Sequence, residues 1–267
     1  MDQNYLRGLL SRSPSRETGT TLDFRSDEER RIAEADALSD RENAFKNFFK
    51  RWPRFYDRLA LFVTPILFTG LTGESFARRF EKDKILLNIG SGPTRLHANM
   101  VNVDLYPFQN VDVLSRGEAL PFLECIFDGA VCDQVLEHVY DPEAVVREIV
   151  RVMKPGGLIY LGVPFMYPLH PSPKDYIRWS QEGVQRLLPG CDIIERGNAM
   201  GPTSGLLVVV AAWLALVFSF GLTPLRKGLQ YVFMLLLFPF KYLDVIFARF
   251  PGAETIAAAV YVVARKQ

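Results

Sequence analysis

The stretch Lys84–Pro93 reads KILLNIGSGP and decides the fold. An apolar run with the length of a buried strand ends at Gly90, and a second glycine follows at Gly92. Glycine permits a tight turn and lets a ligand approach the backbone closely. A second apolar run, MVNVD, ends in Asp104, whose carboxylate can accept hydrogen bonds from both hydroxyls of a ribose. The sequence therefore favours a nucleoside-binding site between two strands.

Short apolar runs alternate with turn signals over residues 84–200, a pattern typical of a βαβ domain. The segment 141–157, DPEAVVREIVRVMKPGG, predicts a helix capped by Asp141, with Pro142 at its first position and a Pro-Gly-Gly stop. FDGAVCD (127–133) before it and LIYLGVPF (158–165) after it predict buried strands.

Five motifs occur in a fixed order, and together they carry a family resemblance. They are LLNIGSG, VNVD, ALPF (119–122), FDGAVCDQVLEHV (127–139) and EIVRVMKPGGLIYLGVP (148–164). The chain resembles a class I S-adenosylmethionine-dependent methyltransferase of the methyltransferase type 11 group over about residues 84–197, with a closing strand at 256–265. The resemblance implies an α/β fold: a Rossmann-like doubly wound, mostly parallel sheet with an antiparallel last strand. It also implies S-adenosyl-L-methionine as the cofactor.

The resemblance assigns cofactor-binding roles to particular residues. The methionine part of the cofactor would lie against the glycine turn, and the ribose would bind the carboxylate at the end of the second strand. The adenine would lie beside the 116–119 turn. The end of the fourth strand would line the other side of the cofactor. These residues are Asn88, Gly90, Ser91, Gly92, Asp104, Glu118, Ala119, Asp133 and Gln134. Two positions depart from the family pattern, because the family usually has an acidic residue at Asn88 and often Asp at Arg116.

The acceptor side is predicted from the loop after the fifth strand, PFMYPLHPSPKDYIRW. His170, Asp175 and Tyr176 are the candidate catalytic residues, with His170 as a base, since the ordinary pKa of histidine suits proton abstraction near neutrality. The alternative is that Asp175 and Arg178 pair only to brace this loop. No metal-binding spacing is visible, because the three cysteines are far apart.

A long apolar segment precedes the last predicted strand. Residues 197–225 contain no Asp, Glu, Lys or Arg, and LQYVFMLLLFPF (229–240) is again uncharged. The first run is marginal for a membrane span and the second is broken by Pro239, so we expect two helices that dip into one leaflet. The basic, aromatic stretch at 46–58 would contact lipid headgroups. A homodimer interface or a helical cap over the domain are the alternatives.

These patterns divide the chain into a flexible polar N-terminal arm (1–44), a basic and aromatic helical segment (45–83), a methyltransferase domain (84–200 and 255–267) and an apolar helical insertion (201–254). The formal net charge of +1 and the acidic middle of the chain argue against nucleic acid. We expect a cytoplasmic enzyme attached to the inner face of the membrane that methylates an amphipathic or lipid-linked small-molecule acceptor. A soluble dimeric methyltransferase and a non-catalytic membrane adaptor remain alternatives.

Overall fold

A computed structural model describes residues 2–39, 64–170 and 174–267. In these residues nine strands form one mixed sheet, in the order β1-β2-β5-β4-β3-β6-β7-β9-β8. The basic, aromatic stretch at 46–58 lies outside the described residues.

Five parallel strands form the middle of the sheet and confirm the doubly wound α/β prediction. They are β3 (Leu86–Ile89), β4 (Met100–Asp104), β5 (Val113–Leu114), β6 (Phe127–Asp133) and β7 (Met153–Pro164). From β3 the chain runs outward through β4 and β5, and it then crosses to β6 and β7 on the other side of β3. The strand order therefore reverses between β3 and β6, and an open α/β sheet binds its ligand at the carboxyl ends of the strands at such a point.

Short helices cover the sheet. Helix α3 (Gly73–Ala77) precedes β3, and α4 (Pro142–Val152) connects β6 to β7. The α4 helix begins as the sequence predicts, because the Asp141 side chain accepts a hydrogen bond from the amide of Ala144 and Pro142 occupies the first turn. It ends earlier than predicted, since β7 already begins at Met153.

The last two strands pair antiparallel. Strand β8 (Cys191–Met200) follows α5 (Gln181–Gln185), and β9 (Ala259–Lys266) inserts between β7 and β8. This confirms the predicted antiparallel last strand.

The N-terminal residues differ from the flexible arm that their composition predicted. Helix α1 (Gln3–Gly8), strands β1 (Arg16–Thr18) and β2 (Thr21–Asp23), and helix α2 (Asp27–Ser39) are folded onto the edge of the sheet, where β2 pairs parallel with β5. Leu6, Leu9 and Leu22 are buried in the main core. The Asp23 carboxylate binds both Arg25 and Arg30. Three apolar anchors and a buried ion-pair network suffice to fix a segment that is otherwise polar.

The apolar insertion forms a helical hairpin. It contains α6 (Pro202–Phe218), α7 (Thr223–Leu237), a 3₁₀ turn and the short α8 (Asp244–Phe247), and we call residues 202–250 the apolar hairpin. It leaves the sheet directly after the carboxyl end of β8, and Ala258 on its return donates a hydrogen bond to the carbonyl of Gly201. The buried Asp244 carboxylate accepts hydrogen bonds from the amides of Thr203 and Ser204 and fastens α8 to the start of α6.

Candidate functional site

The glycine turn lies at the carboxyl end of β3, at the point where the strand order reverses. Gly90 and Gly92 have φ angles of +63° and +54°, which glycine adopts without a steric penalty. A Cβ atom on Gly90 would lie 2.4 Å from a methyl carbon of Val135, whereas a Cβ on Gly92 would meet no atom within 4 Å. The amide of Ser91 donates to the carbonyl of Val103. The turn is therefore closed on the side of β6 and open beside Gly92.

The predicted ribose-binding carboxylate lies directly against this turn. Asp104 ends β4, and one of its carboxylate oxygens accepts a 2.8 Å hydrogen bond from the amide of Gly92, while the other accepts one from the amide of Tyr106. The structure thus brings together the two features on which the sequence argument depends. Glycine with open space beside it and an adjacent carboxylate fit a nucleoside cofactor, because the backbone can approach the ligand while the carboxylate faces its hydroxyls.

Asn88 is held inside the sheet. It is buried, and its side-chain amide donates to the side-chain oxygen of Asn102, its neighbour in register on β4. Asn102 in turn donates to the carbonyls of Thr94 and Asn110. Asn88 therefore belongs to an amide network that braces β3 against β4, and its assignment to the cofactor stays a prediction.

The 116–119 turn faces an N-terminal element that the sequence analysis had left out of the site. The Arg116 guanidinium pairs with Glu118 at 3.1 Å and lies 3.7 Å from the carboxylate of Glu29 on α2. Arg12 donates to the carbonyl of Ala119. Glu118 and Ala119 thus lie beneath residues of the folded N-terminal segment. That segment was expected to be a flexible arm, so no sequence signal led to Glu29.

Asp133 and Gln134 mark the carboxyl end of β6. Burial raises the pKa of Asp133 to about 6, and its carboxylate accepts a hydrogen bond from the amide of Gly73. Gln134 has a φ of +57°, an unfavourable conformation for a residue with a side chain. Its side-chain nitrogen is buried without a hydrogen-bond partner in the described residues. Strained backbone and an unsatisfied amide at the same position are typical of a ligand-binding site.

The predicted catalytic loop is built around Asp175. Its carboxylate accepts two hydrogen bonds from Arg178 and one from the backbone amide of His170, and the Arg178 bonds lower the pKa of Asp175 to about 2. The Nδ1 atom of His170 lies 3.2 Å from the same carboxylate. Burial and the neighbouring His138 ring lower the pKa of His170. Asp175 therefore braces the loop and also orients His170.

Tyr176 contributes mainly through its backbone. Its amide donates to the carbonyl of Glu137 at 2.7 Å, while its side chain is exposed and lies edge-on to Tyr140. A catalytic role for its hydroxyl stays a prediction.

Glu137, which no sequence pattern predicted as a site residue, lies between two histidines in the folded protein. Its carboxylate is fully buried, and neither oxygen has a hydrogen-bond partner in the described residues. One of these oxygens lies 3.7 Å from Nε2 of His138 and 3.8 Å from Nε2 of His170. Burial raises the pKa of Glu137 to about 7. Glu137 and His138 are adjacent in sequence, but His170 comes from the next loop, so no local spacing reveals the cluster.

Part of the chain is similar to known methyltransferases. The methyltransferase domain family matches residues 87–161. Over 111 residues the chain is 32% identical to a ubiquinone biosynthesis O-methyltransferase of Neisseria meningitidis, covering 40% of this chain and 43% of that protein. Over 127 residues it is 30% identical to the protein of the same name from Acinetobacter baumannii, covering 45% and 49%. The chain thus spans less than half the length of these curated relatives.

A solved structure agrees at the level of the fold. The 1,6-didemethyltoxoflavin N1-methyltransferase of Burkholderia thailandensis, crystallised with S-adenosylhomocysteine, superposes with a TM-score of 0.50 over 95% of this chain and 94% of that protein, at 13% sequence identity. The matched segment contains the glycine turn, Asp104, Asp133 and Glu137. Residues 87–161 of this chain therefore match the methyltransferase domain family, within a fold that a solved methyltransferase shares.

Proposed function

We propose that this protein is an S-adenosylmethionine-dependent O-methyltransferase that acts on an amphipathic acceptor at a membrane surface. The observation that carries the enzymatic part is the hydrogen bond from the Gly92 amide to the Asp104 carboxylate, at the point where the strand order reverses. It supports the proposal because the bond joins the glycine turn after one strand to the carboxylate at the end of the next, within the segment that the methyltransferase domain family matches.

The chain's own residues would hold and align the cofactor. Asp104 would accept the ribose hydroxyls, the backbone at Gly92 would approach the ligand, and the Asp133–Gln134 corner would line its far side. The bound cofactor supplies an electrophilic methyl group on a sulfonium. Methyl transfer from such a group needs chiefly alignment and exclusion of water, which are worth about 7–11 kcal/mol of the barrier.

The acceptor side would be the cluster of Glu137, His138 and His170. Glu137 and His138 lie in a short 3₁₀ helix after β6, and His170 lies in the loop after β7. The carboxyl ends of both strands lie at the same edge of the sheet as the glycine turn. Val135, two residues before Glu137, packs against Gly90. A hydroxyl acceptor is supported by this polar, unsatisfied cluster and by the two relatives, which are named as O-methyltransferases.

The apolar hairpin supports a membrane-bound acceptor. Many of its large apolar side chains are exposed, among them Leu206, Trp213, Phe220, Tyr231, Leu236 and Ile246. An uncovered apolar surface of this extent marks a membrane or protein contact. Within the described residues, the helical stretch Thr223–Phe247 is long and apolar enough to cross a bilayer by length and composition alone, while α6 is shorter.

The attachment we propose is interfacial. Arg226 and Lys227 are exposed near the turn between α6 and α7, and the buried Asp244 fastens the other end of the hairpin to the domain. A hairpin that lies along the interface leaves the exposed Arg226 at the headgroups, where a basic group contributes about 1 kcal/mol with anionic lipid. The loop that leads to His170 hydrogen-bonds to the returning chain, through Phe165 to Ala258 and Met166 to Ala257. A lipid-embedded acceptor would thereby lie close to the catalytic edge.

Calorimetric titration of the full-length protein with S-adenosylmethionine tests the enzymatic part. We expect one binding site, and at least tenfold weaker binding for Asp104→Ala, which corresponds to about 1.4 kcal/mol. Asp192→Ala, which removes an exposed carboxylate at the opposite edge of the sheet, serves as the control and should bind like the parent. Absence of binding by the parent protein would leave a non-catalytic adaptor as the better explanation.

Flotation with phosphatidylglycerol and phosphatidylethanolamine vesicles tests the membrane part. We expect the parent to float with the vesicles and the double variant Trp213→Asp and Leu236→Asp to remain behind. Ile32→Asp changes an exposed apolar residue on α2 and should float normally. If the parent does not float and light scattering shows a dimer that the double variant loses, the hairpin is a subunit interface and the membrane proposal is wrong.

A further inference from the structure

The buried carboxylate of Glu137 faces two imidazole nitrogens across short gaps. Its nearer oxygen lies 3.7 Å from Nε2 of His138 and 3.8 Å from Nε2 of His170, and the three ligand atoms all lie within 4.8 Å of one another. In a tetrahedral zinc site with bonds of about 2.0–2.2 Å, neighbouring ligand atoms are separated by roughly 3.4 Å. The two oxygen–nitrogen distances exceed this value by a few tenths of an ångström, and no pair of the three atoms is more than 4.8 Å apart.

Hydrogen bonds fix His138 in the form that can bind a metal. Its Nδ1 atom contacts the backbone carbonyl oxygen of Lys174, which can only accept, so Nδ1 carries the hydrogen. In the neutral imidazole, the Nε2 atom therefore presents its lone pair toward Glu137. A backbone carbonyl that holds the other ring nitrogen is the usual second contact of a metal-binding histidine.

The same argument applies to His170. Around its Nδ1 atom lie the Asp175 carboxylate at 3.2 Å, the Pro168 carbonyl at 3.4 Å and the Arg178 Nη2 atom at 3.3 Å. The two hydrogens of Nη2 are already donated to Asp175 and Pro168. Nδ1 therefore carries its own hydrogen toward an acceptor, and the lone pair of Nε2 faces Glu137.

Three electron-pair donors thus point at one another, and neither oxygen of the fully buried carboxylate has a hydrogen-bond partner in the described residues. Burying an unpaired carboxylate is expensive unless a cation or a donor compensates it. We propose that Glu137, His138 and His170 bind one divalent transition-metal ion of the zinc type, with a coordination position open to an oxygen ligand. Two imidazoles and one carboxylate are the ligand set of zinc sites that keep such an open position, and nitrogen ligands disfavour magnesium and calcium.

Metal binding at this site does not depend on the proposed function. Only the purpose that we assign to the metal rests on it. With the metal bound, His170 acts as a ligand, which would replace the sequence-based prediction that it is a free base. The open position would receive the hydroxyl oxygen of the acceptor, at the carboxyl edge where the methyl group is delivered.

The test uses full-length protein without a histidine tag, stripped with a chelator and carrying Cys125→Ser, because Cys125 is an exposed thiol that can bind zinc by itself. Calorimetric titration with Zn²⁺ should give one equivalent bound, and Co²⁺ should give the visible absorption of a tetrahedral site. Glu137→Gln and His170→Ala should each weaken binding by about 100-fold or more, because even residues behind the ligands cost 10–100-fold.

The third histidine of the chain provides the matched control. His97 lies between β3 and β4, outside the cluster, so His97→Ala should bind both metals like the parent. Thermal melts of the stripped variants verify that each is folded. Absence of stoichiometric zinc in the parent, or equal losses in His97→Ala and His170→Ala, would overturn the proposal.

Titration of the same samples with S-adenosylmethionine separates the two proposals. Cofactor binding without zinc binding overturns the metal site alone. Zinc binding without cofactor binding overturns the methyltransferase activity and leaves the metal site standing.

Discussion

At the carboxyl edge of the sheet, the polar groups of the proposed cofactor side and those of the proposed acceptor side differ in whether they are hydrogen-bonded within the protein. Around the glycine turn, Gly92 bonds to Asp104 and Asn88 to Asn102, so this side is paired within the protein. On the acceptor side, the Glu137 carboxylate is buried, and neither of its oxygens has a hydrogen-bond partner in the described residues. Paired groups hold a shape before the ligand arrives, whereas unpaired groups need a ligand to complete them.

Replacement of the two turn glycines by alanine should give the largest effect, a decrease in the free energy of unfolding. Gly90→Ala and Gly92→Ala both force a side chain into a left-handed conformation, which costs about 1–2 kcal/mol. Only Gly90→Ala also drives its Cβ against Val135, and this overpacking adds about 1–3 kcal/mol. We therefore expect a clearly larger loss in the free energy of unfolding for Gly90→Ala.

Urea denaturation of both variants measures the difference, and titration with S-adenosylmethionine complements it. Gly92→Ala should stay folded but bind the cofactor more weakly, because its Cβ enters the open space beside the turn. Equal losses of stability in the two variants would show that the turn is not closed by Val135 as the structure has it.

The two sides also differ in how well the sequence predicts their residues. The glycine turn, Asp104 and the helix start at Asp141–Pro142 were predictable, since each depends on neighbours in sequence or on adjacent strands. The Glu137–His138–His170 cluster was not, because it joins two loops that only the folded sheet brings together. The N-terminal segment was wrongly expected to be flexible, since its attachment depends on a few apolar anchors and one ion-pair network rather than on composition.

The pH dependence of stability sharpens the comparison at Asp133, which lies between the two sides. Burial raises its pKa from an ordinary value near 4 to about 6, so the folded protein holds a proton that the unfolded chain has already released. Stability therefore decreases as the pH rises from about 4 to 6 and stays lower above that range.

Asp133→Asn cannot ionise and should remove this loss. We expect a gain of about 2 kcal/mol above pH 7, after allowance for solvent screening, and little change near pH 4. Urea denaturation of the two proteins between pH 4 and pH 8 gives both curves. If stability depends on pH in the same way in both proteins, then Asp133 ionises in the folded protein at its ordinary pKa. The Asp133 carboxylate would then be more solvated than its burial indicates.

Asn88→Asp yields the smallest effect and tests the comparison most directly. It restores the acidic residue that the family usually carries, so a residue-by-residue transfer from the family predicts tighter binding of S-adenosylmethionine. The geometry predicts otherwise, because the Asn88 amide donates to the side-chain oxygen of Asn102, whose orientation is fixed by its own bonds to Thr94 and Asn110.

A carboxylate at position 88 would therefore set two acceptors against each other inside the sheet, with a loss of about 1 kcal/mol in the free energy of unfolding. Cofactor affinity should change by less than about twofold, since 0.4 kcal/mol corresponds to that factor. Asn99→Asp, which loses a similar bond to the Lys82 carbonyl at an exposed position, controls for the loss of an amide donor alone. If Asn88→Asp instead tightens cofactor binding without loss of stability, then residue 88 faces the ligand, and the paired amides on this side are a resting arrangement that the cofactor breaks.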